Sequence, residues 1–110
     1  MKGQRIVIDG PQSIALEAFD TPGELEAGDL LVRVHYSLIS PGTELAGYAH
    51  ARPNATIFPG YTAVGEVLAG GSSNSASLVG KMVYLFPERT DSSGCHASLK
   101  ILKTGGLVLR

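Results

Sequence analysis

Two short polar turns carry most of the side chains that could do chemistry in this sequence. The first reads Ser40-Pro41-Gly42-Thr43-Glu44, and the second reads Pro59-Gly60-Tyr61-Thr62. A hydroxyl beside a carboxylate can bind a small polar ligand or move a proton. Small hydroxyl residues next to Gly and Pro also form turns for conformational reasons alone. On spacing, the turn-forming interpretation is favoured for Ser40, Thr43 and Tyr61.

Patterns for metal binding and nucleophilic catalysis are missing from the sequence. The three histidines share no short metal spacing, and a structural zinc site needs clustered Cys or His ligands. The lone Cys95 excludes an intrachain disulfide, and we interpret it as a packed residue rather than a reactive thiol. No G-x-S-x-G or G-x-G-x-x-G pattern occurs. We therefore predict no metal site and no cofactor-binding residue, with a minimal hydrolase or lyase built on Thr43, Glu44 and His50 as an alternative.

Length and composition indicate one globular domain. The chain has 110 residues, of which 44% are apolar and 17% charged, and its net charge is −1. Because the basic residues are scattered, no stripe can neutralise a phosphate backbone, so we expect no nucleic-acid partner. No apolar run approaches the roughly 18 residues that a membrane span needs. We expect no membrane partner and a cytoplasmic location.

Hydrophobic periodicity favours short strands along nearly the whole chain. The clearest alternation lies in residues 29–37, which read D-L-L-V-R-V-H-Y-S. Residues 43–50 favour one or two helical turns, and residues 70–77 favour a flexible loop or hairpin tip. Several short strands divided by Gly and Pro predict an all-β barrel or sandwich. The predicted strands are 5–9, 13–19, 29–37, 63–69, 80–86, 96–102 and 107–109.

Three groups of residues resemble a known family in their order and spacing. They are V-R-V-H-Y-S-L-I-S-P-G-T-E at 32–44, F-P-G-Y-T-A-V-G-E-V at 58–67, and V-G-K-M-V with G-C-H-A-S-L-K-I at 79–83 and 94–101. Together they resemble the N-terminal GroES-like catalytic domain of the medium-chain dehydrogenase/reductase (zinc-type alcohol dehydrogenase-like) superfamily. The subgroup that looks closest is the zinc-independent, bacteriochlorophyllide-dehydrogenase-like one. The resemblance implies a mainly all-β fold for residues 1–110, a partly open GroES-like barrel with one or two short helical turns.

The same resemblance implies that zinc plays no part. Zinc-using members have a Cys where this chain has Ser40, and a His-Glu pair where it has Tyr61 and Thr62. Neutral hydroxyl oxygens are poor ligands for an ion that prefers thiolate and imidazole.

The resemblance also suggests roles for the two turns. Thr43 matches the hydroxyl that exchanges a proton with the substrate oxygen in the family, and Glu44 matches an acidic position beside the metal site. The expected catalytic residues are therefore Thr43, Ser40 and Glu44. The two turns would frame a cleft with the helical run as one wall, so the expected substrate-binding residues are Tyr48, Tyr61 and Thr62.

In such enzymes the hydride comes from a nicotinamide held by a Rossmann domain, which these 110 residues do not include. The leading hypothesis is the substrate-binding domain of a zinc-independent NAD(P)-dependent dehydrogenase or reductase, which binds a small-molecule substrate and is inactive alone. NAD(P) would take part only if a Rossmann domain were supplied. The alternative is a free-standing GroES-like interaction module that self-associates as a homodimer, so whether the chain is an enzyme stays open.

Overall fold

The computed structural model describes residues 1–54, 56–85, 94–102 and 107–109. Seven strands and two helices lie in these residues. In chain order they are β1 (Lys2–Gly10), β2 (Ser13–Asp20), β3 (Leu30–Leu38), α1 (Pro41–His50), β4 (Thr62–Gly70), α2 (Ser73–Ala76), β5 (Met82–Leu85), β6 (Leu99–Leu102) and β7 (Leu107–Leu109).

The strands form two antiparallel sheets. β1 and β2 make a hairpin, and the larger sheet has the order β6-β3-β4-β5-β7. Single bridges join Arg5 to Ala97 and Ile8 to Ile57, so β1 is tied to the segments that lead into β6 and β4. The mainly-β prediction is confirmed. In the described ranges the two sheets do not close into a single barrel.

The alternation predicted for residues 29–37 appears in the burial of β3. Leu30 and Val32 are buried and Val34 is partly buried, whereas Arg33 and His35 are exposed. Because successive side chains of a strand point to opposite faces, β3 gives its even-numbered residues to the core as far as Val34, whereas Tyr36 and Leu38 are exposed.

The core lies against the larger sheet. Cys95 is fully buried there, and its Sγ lies 4.0 Å from the carbonyl oxygen of Leu85. This burial supports the packed interpretation of Cys95 over a reactive thiol. The buried cluster consists of Leu30, Val32, Ala63, Val67, Val83, Leu85, Cys95 and Leu102.

Two helical predictions need correction. α1 begins at Pro41 rather than at residue 43 and is ten residues long. Proline suits a first helical position because its φ is already fixed and its missing N–H has no helical partner there. The 70–77 stretch is not only a loop, since Ser73–Ala76 form one helical turn. The Ser72 hydroxyl caps this turn by accepting a hydrogen bond from the Ser75 N–H at 3.2 Å.

Two predicted strands are shorter in the structure. The strand predicted for residues 80–86 is observed as Met82–Leu85. The last residue of the predicted strand, Phe86, lies outside the described residues. The strand predicted for residues 96–102 is observed as Leu99–Leu102. The backbones of His96 and Ser98 bond to β1, and the pairing with β3 starts at Leu99, with one further bond from the Val34 N–H to the Ser98 carbonyl. In the part of the chain that the structure describes, no helix has the length and apolar character needed to traverse a bilayer.

Candidate active site

A cavity of about 470 Å³ opens between the β1–β2 hairpin, the end of β3 and α1. The Tyr48 carbonyl at the C-terminal part of α1 accepts a hydrogen bond from the Gln12 N–H at 2.8 Å, which fixes the helix to the hairpin turn. Most of the wall is apolar, and none of the described lining residues is Lys or Arg. The lining residues are Ile6, Ile8, Ile14, Ser37, Ile39, Glu44, Leu45, Tyr48, Pro59 and His96.

Three of the polar lining residues form one hydrogen-bonded chain. His96 Nε2 lies 2.5 Å from Glu44 Oε1, and His96 Nδ1 lies 2.6 Å from Ser37 Oγ. The side chains of His96 and Glu44 are only 9% and 15% exposed, whereas Ser37 is an exposed residue. The imidazole therefore lies between a covered carboxylate and an accessible hydroxyl.

The first turn of α1 holds Glu44 in place. Ser40 is the N-cap residue of α1, and its side chain makes no capping hydrogen bond. Instead Glu44 Oε2 accepts a hydrogen bond from the Ser40 backbone N–H at 2.9 Å. This bond satisfies an N–H at the helix N-terminus, where negative charge is favoured. It also leaves Oε1 free to face His96.

Backbone contacts fix His96 from two sides. The His96 N–H donates to the Pro59 carbonyl at 3.3 Å, and the neighbouring Cys95 N–H donates to the Gly60 carbonyl at 3.2 Å. The His96 carbonyl in turn accepts a hydrogen bond from the Ile6 N–H at 2.9 Å. The second polar turn of the sequence thus serves the site by holding the backbone that carries the histidine.

A β-bulge brings Ser37 to the cavity. The pairing of β3 with β4 shifts by one residue between Val34 and Tyr36, which makes His35 the extra residue. A bulge changes which face the following side chains take. The core-facing positions of β3 are even-numbered before the bulge, but Ser37 and Ile39 line the cavity after it.

The structure places the expected catalytic residues around the start of α1. Glu44 lines the cavity, and Ser40 contributes its backbone N–H to the Glu44 carboxylate. Thr43 lies in the first turn of α1. His50, which belongs to the hydrolase alternative, is the exposed last residue of α1 and does not line the cavity.

The expected substrate-binding residues lie in different places. Tyr48 lines the cavity beside Glu44. Tyr61 is 59% exposed and is not among the lining residues. Thr62 donates its hydroxyl to the Leu85 carbonyl at 2.9 Å, which ties β4 to β5. The structure therefore brings Tyr48 and Glu44 together and leaves Tyr61 and Thr62 outside the cavity wall.

Ser37 and His96 were not among the expected site residues. His96 is 59 positions from Ser37 and 52 positions from Glu44, so no short motif could join them. Both lie inside the segments that carry the family resemblance, at positions to which it gives no role. The only sequence signal was a histidine at the start of the strand predicted for residues 96–102.

Metal and phosphate ligands are sparse among the described residues. These residues contain no group of three or more His, Cys, Asp or Glu side chains that could hold a metal ion. An added Cβ at Gly71 would overlap the Glu26 carbonyl, so close backbone packing is the reason for a glycine at this position.

Solved structures share the fold over the whole chain. No protein-family model matches the sequence, and no curated protein matches it either. An Escherichia coli oxidoreductase/dehydrogenase of unknown specificity, involved in membrane biogenesis, is 17% identical with a TM-score of 0.82, and the match covers 100% of this chain and 40% of that one. The chain thus has the fold found in part of an oxidoreductase.

S. aureus TarJ is a second structural neighbour. Its TM-score is 0.71 at 17% identity, with 100% of this chain and 33% of TarJ covered. TarJ in complex with NADPH gives the same TM-score at 16% identity, with 100% and 34% covered. The chain spans less than half the length of each of these proteins.

Proposed function

We propose that this chain is the substrate-binding lobe of a zinc-independent NAD(P)-dependent dehydrogenase or reductase. The observation that carries the proposal is the match of the entire chain to 40% of the E. coli oxidoreductase at a TM-score of 0.82. TarJ, matched over a similar share, has been solved with NADPH. In this proposal a small-molecule substrate binds in the 470 Å³ cavity, a size typical of small-molecule sites.

We further propose that the fold is a partly open GroES-like barrel of the medium-chain dehydrogenase/reductase superfamily. The two single bridges from β1 support it, because they join the hairpin to the segments before β4 and β6. The three segments of family resemblance support it as well, because they run in the family's order along the chain.

Zinc independence is supported by the groups at the expected ligand positions. Ser40 is a helix N-cap whose N–H bonds to Glu44, and the Thr62 hydroxyl is bonded to a backbone carbonyl. Tyr61 is exposed and is not among the residues that line the cavity. Oxygen donors of this kind do not make a zinc site.

The described residues do not fit the dinucleotide itself. The cavity has no Lys or Arg in its described wall, and the Gly70-Gly71 pair packs against backbone. We therefore assign NAD(P) to a second lobe, which would cover the exposed apolar residues at the cavity mouth. These residues are Ile14, Ile39 and Leu45. We place the protein in the cytoplasm, with no nucleic-acid or membrane partner.

The proposal is tested by titrating the purified chain with NADPH in a calorimeter and by measuring zinc after growth in zinc-supplemented medium. We expect no saturable heat, because the described cavity wall has no Lys or Arg to bind the phosphates. We expect far less than one zinc per chain, because Ser40, Tyr61 and Thr62 offer only hydroxyl oxygens. Tight NADPH binding would overturn the assignment of the cofactor to a second lobe. One zinc per chain would overturn zinc independence.

A second candidate is the self-associating interaction module. It is favoured by the exposed apolar side chains of Tyr36 and Leu38 near the end of β3. Sedimentation velocity over a range of concentrations separates the two candidates. A dimer that Leu38→Glu abolishes and Val79→Glu leaves intact would favour the module. Val79 is exposed, and its neighbour Gly80 bonds to Val67 of β4, whereas Leu38 pairs with Thr62 at the start of that strand. A monomer at every concentration would count against it.

A further inference from the structure

The proton positions in the chain of Ser37, His96 and Glu44 follow from donor and acceptor chemistry. A carboxylate can only accept hydrogen bonds, so the Glu44 carboxylate accepts a hydrogen bond from the N–H at His96 Nε2. In the neutral imidazole with this tautomer the other nitrogen, Nδ1, is an acceptor. The Ser37 hydroxyl then donates a hydrogen bond to Nδ1. This direction leaves the lone pairs of Ser37 Oγ free to accept a hydrogen bond from a ligand in the cavity.

The three residues of this hydrogen-bonded group differ in their exposure. Glu44 and His96 are largely covered, and Ser37 is exposed at the cavity. Glu44 is held by its bond to the Ser40 N–H, and His96 is held by the backbone contacts of the second polar turn. A ligand oxygen entering the cavity would therefore meet the Ser37 hydroxyl, with a fixed imidazole and carboxylate behind it.

We propose that Ser37, His96 and Glu44 form the proton-transfer unit of the cavity and act on an uncharged substrate that has one hydroxyl or carbonyl group on an apolar body. The inference rests on the proposed function, because it names the acid–base group and the substrate class of that same site. It differs from the family resemblance, which gives the proton-transfer role to Thr43.

The proton transfer is balanced within these residues and the substrate. A substrate O–H gives its proton to Ser37 Oγ while Ser37 gives its own proton to His96 Nδ1. The resulting imidazolium is stabilised by the Glu44 carboxylate, whose Oε1 is 2.5 Å from Nε2. Donation of a proton to a substrate carbonyl oxygen uses the same groups in reverse.

The cavity wall determines the substrate class. Four isoleucines, Leu45 and Pro59 give an apolar surface, and neither Lys nor Arg is among the described lining residues. A phosphate or carboxylate on the substrate would lose its hydration without gaining a cationic partner, and it would lie near the Glu44 carboxylate. An uncharged substrate bears neither cost. Its oxygen pairs with Ser37, and its hydrocarbon part lies against the isoleucines.

The unit can be tested by NMR on the isotope-labelled chain without any nucleotide. The His96 ring nitrogens report the tautomer, and we expect the proton on Nε2. Cyclohexanol is the uncharged probe, with cyclohexanecarboxylate and cyclohexyl phosphate as charged probes of similar shape. We expect cyclohexanol to shift the resonances of Ser37 and His96, and the charged probes to bind at least about tenfold more weakly, since charge burial without a partner is costly.

Three variants isolate the hydroxyl. Ser37→Ala should weaken cyclohexanol binding about three- to tenfold, the effect of one lost hydrogen bond, and should shift the His96 Nδ1 resonance. Ser37→Thr keeps the hydroxyl and should retain most of the binding. Ser73→Ala removes an exposed hydroxyl on α2 and should change neither quantity. A thermal melt of each variant establishes that it is folded, and Ser37→Thr keeps the test decisive if Ser37→Ala does not fold.

Several results would overturn the inference. They are a proton on Nδ1 facing Ser37, unchanged cyclohexanol affinity in folded Ser37→Ala, or equal binding of the charged probes. Covalent labelling of Ser37 by a fluorophosphonate would indicate an activated nucleophile and would also overturn it. None of these measurements involves NADPH. A negative result in these measurements would refute the proton-transfer unit and leave the second-lobe proposal intact. NADPH binding by the chain alone would refute the second-lobe proposal and leave the proton-transfer unit intact.

Discussion

Gly60 is the residue at which the second polar turn meets the backbone of His96, and its replacement by alanine tests how the site is held. Its φ is +120°, a conformation that L side chains rarely adopt. An added Cβ would overlap the His96 backbone nitrogen and would lie 2.5 Å from the Cys95 nitrogen, closer than real Cβ atoms come. Gly60→Ala must therefore push the two segments apart.

The cost of this substitution can be worked out from two contributions. A non-glycine residue held at such a φ costs about 1–3 kcal/mol. Separating the segments also weakens the hydrogen bonds from the Cys95 and His96 N–H groups, each contributing about 1 kcal/mol. The sum is about 3–5 kcal/mol. With an unfolding entropy of about 2.1 cal/mol/K for each of the 110 residues, Tm should fall by about 13–22 °C.

Gly47→Ala is the matched control. Gly47 lies inside α1, and an added Cβ there meets nothing within 4 Å. Because alanine is favoured over glycine in a helix interior, this variant should gain about 0.5–1 kcal/mol and melt about 2–4 °C higher. Both variants can be compared with the parent chain by thermal and urea unfolding followed by circular dichroism.

The reasoning would be refuted if Gly60→Ala melted within about 3 °C of the parent chain, a loss of under 1 kcal/mol. That result would mean that the turn can move without disturbing the fold. Unchanged NMR resonances of Cys95 and His96 in this variant would further show that the contact does not position the histidine. An equal loss of stability in Gly47→Ala would show that the effect is general to glycine replacement.

Two further predictions concern the packing around the site. Leu85→Ala should lower the free energy of unfolding by about 2–5 kcal/mol, because Leu85 is fully buried, while Val79→Ala at an exposed position should change it by less than about 0.5 kcal/mol in the same urea titrations. Arg5→Ala should cost about 1–2 kcal/mol, because the guanidinium carbon lies 4.9 and 4.5 Å from the ring centroids of Phe19 and Phe58. An Arg5→Ala chain as stable as the parent would show that these ring contacts contribute nothing.

Local patterns in the sequence predicted most of the strands. The alternation in residues 29–37 predicted β3 because a period of two is a property of the strand itself. The one-turn helix α2 was missed because Ser and Asn favour caps and turns over helix interiors. Its stability depends on the Ser72 cap and on contact with β4, where a Cβ at Gly70 would overlap the α2 backbone. Such packing is not visible in a local pattern.

The candidate site was predictable only in part. Glu44 and Tyr48 were expected from the family resemblance, and both line the cavity. The bulge at His35 could not be read from the alternation, which continues through Ser37 without a break. Without the bulge, Ser37 would be expected on the face opposite to the core-facing residues of β3.

The sequence by itself determined the mainly-β class and the positions of most strands, because period, Gly and Pro act over a few residues. Only the tertiary structure decided that Ser37, Glu44 and His96 meet, since His96 is 52 positions from Glu44 and 59 from Ser37. Their meeting depends on a bulge in one strand, the first turn of a helix and a glycine contact between two loops. Each of these is fixed by packing with residues distant in the chain, and that packing leaves no local pattern.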